Sequence, residues 1–118
     1  MDLSIEGNLY HKGSFEHGCL AVDRGKIVAI KKSLQADPHL NVGTNLILPA
    51  GIDLHVHFRD PGFTQKEDFS TGSLAAAFGG ISCVFDMPNT QPQTISTQTL
   101  REKAQLASHK SYVDFGLY

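Results

Sequence analysis

Gly51-Ile52-Asp53-Leu54-His55-Val56-His57-Phe58-Arg59 is the stretch that decides the fold. Asp53, His55, His57 and Arg59 alternate with Leu54, Val56 and Phe58. A strand over Ile52 to Phe58 would therefore carry ionisable groups on one face and apolar groups on the other. Pro49-Ala50-Gly51, just upstream, reads as a junction between two architectures.

Downstream of the junction the pattern is strand, helix, strand, helix, strand. Thr64-Gln65-Lys66-Glu67 has the form of a capping box and predicts a helix from there through Phe78, stopped by Gly79-Gly80. Ile81-Ser82-Cys83-Val84-Phe85 reads as the next strand, ended by Pro88. Ser96 is the expected N-cap of a second helix. Ile95 and Leu100 are spaced as a hydrophobic staple, and Leu100, Ala104 and Ala107 recur at helical spacing. Tyr112 to Tyr118 predicts a third strand. Such a run implies a parallel sheet with right-handed crossovers and the α/β class.

Upstream of the junction, Cys19-Leu20-Ala21-Val22 and Lys26-Ile27-Val28-Ala29-Ile30 flank the turn-forming Asp23-Arg24-Gly25, which predicts a hairpin. Lys31 to Asn45 loses periodicity and contains Asp37-Pro38, so a loop is expected there, with a short strand at Leu46-Ile47-Leu48. The chain thus divides into a β-rich segment over 1–50 and an α/β segment over 51–118.

Composition sets the outer bounds. With 118 residues, 41% of them hydrophobic and 19% charged, the chain has the make-up of globular protein, not of collagen, coiled coil or disordered tail. It is too short for a whole eight-strand α/β barrel, which takes about 250 residues. A formal net charge of -2, with no basic run longer than Lys31-Lys32, leaves no electrostatic footprint for nucleic acid or an anionic membrane. Cys19 and Cys83 are far apart and form no Cys-x-x-Cys pair, which points to reduced thiols. No signal-peptide pattern opens the sequence, and a cytoplasmic location is expected.

His55 and His57 are the strongest local signal. On a strand their backbones stand about 6.6 Å apart, a spacing from which both rings can lean onto one zinc ion at ~2.0–2.1 Å. A catalytic zinc site needs further ligands. His11, His17, His39 and His109 read better as surface histidines. Asp86 and Asp114, near strand ends, are read either as orienting groups behind the ligands or as simple strand-end caps. Arg59 and Asn89 form a second constellation. A guanidinium fork suits a carboxylate, and Asn89 follows the neighbouring strand, so the two could hold a small anion beside the metal. Alternatively, Arg59 pairs with Asp60 or Asp68, and Asn89 caps a turn.

These residues resemble a known family. Pro49-Ala50-Gly51-Ile52-Asp53-Leu54-His55-Val56-His57-Phe58-Arg59-Asp60-Pro61-Gly62, followed by Lys66-Glu67-Asp68, Thr71-Gly72-Ser73 and Asp86-Met87-Pro88-Asn89-Thr90, is similar to the N-terminal part of dihydroorotases, in the amidohydrolase superfamily. Asp60 stands where Glu is more common. The resemblance implies the first three strands of a TIM-type (β/α) barrel, preceded by a small β-sandwich subdomain. It implies His55 and His57 as ligands of one or two zinc ions, and Arg59 and Asn89 as the grip on the substrate carboxylate. It implies a hydrolase that interconverts dihydroorotate and N-carbamoyl-aspartate in pyrimidine biosynthesis. In the family the bridging ligand, two further histidines and a catalytic aspartate come later in the chain, after the position of Tyr118, so the 118 residues alone are expected to be inactive. Partners are then a small-molecule substrate and, for assembly, further copies of the chain. Two rival readings remain. Allantoinase- and hydantoinase-type enzymes share the histidine pair but usually lack the arginine, and a non-catalytic structural relative would keep the fold alone.

Overall fold

The computed structural model describes residues 1–118, which form two compact units, Met1–Pro49 and Ala50–Tyr118. The first unit is a single four-stranded mixed sheet. Its strands are β1 (Leu3–His11), β2 (Ser14–Asp23), β3 (Lys26–Lys31) and β4 (His39–Ile47), in the order β3-β2-β1-β4. The expected hairpin is present and longer than its apolar runs. Asp23 pairs with Lys26 across Arg24 (φ 48°) and Gly25 (φ 72°), two successive left-handed residues whose twist matches that of the flanking strands. Leu9 of β1 and Cys19 and Ala21 of β2 are the buried apolar side chains of this unit.

One strand of this unit is absent from the sequence reading and one expectation fails. Leu3–His11 is a strand with no counterpart in the sequence reading, and the expected loop over Lys31 to Asn45 contains most of β4. β4 lies parallel to β1, with a register shift between Glu6 and Asn8. Gly43 takes φ 63° there, and its N–H donates to Asn41 Oδ1 at 2.7 Å. The segment is rich in Asn and Gly, so pairing with β1 overrides a weak intrinsic preference for strand.

The second unit is a parallel three-stranded sheet with two helices. In chain order it runs β5 (Gly51–Val56), α1 (Phe69–Phe78), β6 (Ile81–Asp86), α2 (Thr97–Lys110) and β7 (Asp114–Leu117), with strand order β5-β6-β7. The α/β reading therefore holds for this unit. Its core is Phe58, Phe69, Val84 and Ala107, with Val56, Leu106 and Phe115 packed against them. Phe58 and Phe69 meet edge to face at 5.4 Å between ring centroids. Gly72 makes room for them, since a Cβ there would lie 2.5 Å from the Phe58 ring.

Several boundaries differ from the sequence reading. β5 stops at Val56, so His57, Phe58 and Arg59 lie just beyond it, and Ile52 and Leu54 stay about 60% exposed while only Val56 and Phe58 reach the core. α1 starts at Phe69 instead of near Thr64. Asp68 is its N-cap, accepting from Thr71 N–H at 2.8 Å, and the Thr–Glu pairing forms between Thr71 and Glu67 instead. Residues 64–66 are held in turns, with Phe63 N–H donating to Arg59 O and Lys66 N–H to Phe63 O, both at 2.9 Å. α2 does begin at Ser96, in a capping box with Thr99, but Ile95 remains 81% exposed, so the expected staple adds little burial. No helix is long and apolar enough to cross a membrane. Cys19 is buried and Cys83 half-buried, and both are free thiols.

Candidate metal and carboxylate site

Two hydrogen bonds, one between backbones and one from backbone to side chain, tie the exit of β5 to the exit of β6. Met87 N–H donates to Val56 O at 3.0 Å, and Phe58 N–H donates to the Asp86 carboxylate at 2.7 Å. His57 and Asn89 leave their strands on this joined rim.

The structure gathers His55, His57 and Asn89 into one cluster. His55 Nε2 and His57 Nε2 are 3.2 Å apart, with ring planes inclined at 61°. Asn89 Oδ1 lies 2.8 Å from His57 Nδ1. An amide oxygen can only accept, so this network assigns the proton of His57 to Nδ1 and leaves a lone pair on Nε2, aimed at His55. Two nitrogens bound tetrahedrally to one zinc at ~2.0–2.1 Å stand about 3.3 Å apart. The observed spacing fits such a pair, and the Asn89 contact is the usual outer support of a ligating imidazole. The fit covers only part of a metal centre, since no three His, Cys, Asp or Glu side chains in the 118 residues come together to hold an ion.

Arg59 is two residues past His57 and has no recorded bond to the cluster. Its backbone is in the left-handed region (φ 62°), uncommon for a side-chain-bearing residue. The guanidinium is half-buried and engages no carboxylate. Neither alternative partner is paired with it. Asp60 is buried and accepts from Lys110 Nζ at 2.7 Å, and Asp68 caps α1. Asn89 Oδ1 is committed to His57, while its amide nitrogen keeps both N–H donors.

The two aspartates left open by the sequence are resolved differently. Asp114 opens β7, at the end of the strand away from the rim, and takes no part in the cluster. Asp86 is fully buried and holds Phe58 N–H. Its other oxygen lies 2.6 Å from Lys103 Nζ, off hydrogen-bonding direction, so that contact is an ion pair, while the ammonium donates to Met87 O at 2.8 Å. Sequence reasoning missed Lys103. The available signal was its place four residues before Ala107, on the buried face of α2. Of the other histidines, His17 and His39 each sit 3.3 Å from Glu6, His39 Nδ1 also contacts Ser4 Oγ, and His109 contacts Gln105 O.

A family model described as Dihydro-orotase-like matches residues 44–110, more than half of the chain. The chain belongs to the dihydroorotase-like family. It is 45% identical to a dihydroorotase of Methanosarcina mazei, over 98% of this chain and 26% of that protein. It is 43% identical to one of Thermoplasma acidophilum, over 100% of this chain and 28% of that protein. The chain thus spans 26 to 28% of the length of these curated relatives. Its structure is similar to that of L-hydantoinase (dihydropyrimidinase) from Arthrobacter aurescens, with a TM-score of 0.89 and 28% identity, covering 99% of this chain and 27% of that one.

Proposed function

We propose that these residues belong to a zinc-dependent dihydroorotase, which interconverts dihydroorotate and N-carbamoyl-aspartate in de novo pyrimidine biosynthesis. The observation that carries this reading is the 3.2 Å approach of the two imidazole Nε2 atoms, in a chain of this family. His55 and His57 would hold one or two zinc ions. Zinc held there would supply Lewis acidity toward an amide carbonyl and would lower the pKa of water. Asn89 fixes the His57 tautomer through Oδ1 and turns its N–H donors to the substrate. Arg59 takes the substrate carboxylate as a bidentate partner, for which its free guanidinium is suited. The remaining ligands and the general acid-base group come from outside the 118 residues, and the 118 residues alone do not turn over substrate.

The same reading assigns Ala50–Tyr118 to the first three strands of a TIM-type barrel. Support comes from the sequential parallel order β5-β6-β7 and from a site at the C-terminal strand ends, where catalytic groups of such barrels lie. Met1–Pro49 supplies one sheet toward a β-sandwich subdomain.

A hydantoinase-type activity is the competing reading, favoured by the likeness to the Arthrobacter enzyme. Arg59 argues for a substrate that carries a carboxylate. Assaying ring opening of dihydroorotate, hydantoin and allantoin by the protein that contains these residues, before and after chelation, separates the readings. Chelator-sensitive turnover of dihydroorotate is expected. Preference for hydantoin, or turnover unaffected by metal removal and restoration, would overturn the assignment.

A further inference from the structure

Asp86 and Lys103 form an ion pair with both side chains about 99% buried, and neither belongs to the histidine cluster. Two buried charges are an expensive way to hold a core together, since a hydrophobic pair of similar volume is often as stable or more so. Stability alone therefore does not account for them. What a hydrophobic pair could not do is make the bonds that these two residues make to the backbone. Asp86 takes the N–H of Phe58, the residue after His57. Lys103 donates to the carbonyl of Met87, two residues before Asn89. One pair thus grips both chain segments that carry the His57–Asn89 contact.

We infer that Asp86 and Lys103 are positioning residues, which set the separation of His57 and Asn89 and through it the tautomer in which His57 presents Nε2. Only the consequence for metal affinity rests on the proposed function. The positioning itself is readable in metal-free protein.

The test uses protein labelled with 15N in the histidine rings, with the His57 signals identified by their absence in His57→Gln. The metal-free wild type should show His57 as the single Nδ1–H tautomer. Two double variants remove both buried charges. Asp86→Leu/Lys103→Met loses both backbone grips, and Asp86→Asn/Lys103→Met keeps an acceptor for Phe58 N–H. The Leu/Met variant should fold with a denaturant midpoint lowered by no more than the loss of these two backbone bonds explains, and should show His57 as a tautomer mixture, with zinc dissociation constants ten- to a hundredfold higher. The Asn/Met variant should show a smaller change of the same kind, and it carries the test where Leu/Met does not fold. Wild-type His57 shifts in whichever variant folds would overturn the inference and leave the pair a structural feature. A wild type that shows the single tautomer but binds no zinc would defeat the metal reading and leave the positioning intact.

Discussion

Asn89 Oδ1 and His57 Nδ1, 32 residues apart in sequence, lie 2.8 Å apart on the rim formed by the ends of β5 and β6. The contact gives Asn89 a task besides the proposed grip on substrate. Asn89→Leu removes the acceptor and both donors. Zinc affinity should fall ten- to a hundredfold in a competition titration, the range expected on losing an outer partner of a ligating imidazole. Unchanged affinity would mean that the contact does not orient the ring.

Arg59 is expected to act on substrate alone. Arg59→Lys retains the charge but loses the planar fork, at a cost of about 1.5 to 3 kcal/mol, or roughly tenfold to over a hundredfold in kcat/KM for dihydroorotate, mostly through KM. Zinc content should stay at the wild-type level. An unchanged kcat/KM would remove Arg59 from the site.

The close approach of α1 to the residues after β5 depends on Gly72. In Gly72→Ala the added methyl meets the Phe58 ring, and overpacking of this kind costs about 1 to 3 kcal/mol. Equilibrium denaturation should show the loss. A variant as stable as the wild type would mean that Phe58 is free to shift.

Asp68 gives the α1 cap a pH dependence. The Thr71 backbone N–H is the main reason that its carboxyl is held below the ordinary value of 3.8, with the Thr71 hydroxyl and Lys110 adding to it. A group whose folded value is depressed stabilises fully above its unfolded value and loses that contribution as pH falls through the folded one. Asp68→Ala should therefore cost about 1 kcal/mol at neutral pH, and the gap to the wild type should narrow below pH 3.8. Asp68→Asn should keep the cap and remove that part of the acid sensitivity. Parallel unfolding curves for Asp68→Ala and wild type at every pH would contradict the assignment.

What the sequence revealed follows from how local each signal was. The period-two pattern around His55 and His57 depends only on neighbouring residues, and it brings the two imidazoles together without any distant contact. The hairpin turn at Arg24-Gly25 and the Ser96 cap were equally local. β4 was hidden because Asn41, Gly43, Thr44 and Asn45 form a strand only by pairing with β1, far away in sequence. The start of α1 was misplaced because two cap-like patterns overlap, and Asp68 with Thr71 prevails over Thr64 with Glu67. Lys103 was hidden for another reason. A buried lysine is rare unless it is paired, and its partner Asp86 lies on a different element.

The most direct test of the central claim is zinc K-edge X-ray absorption on the protein that contains these residues, compared with its His55→Ala/His57→Ala variant. Imidazole nitrogen scattering at ~2.0–2.1 Å is expected in the wild type, with two imidazoles or the bound zinc itself lost in the variant. A zinc content and an imidazole signal unchanged by the double substitution would contradict that claim.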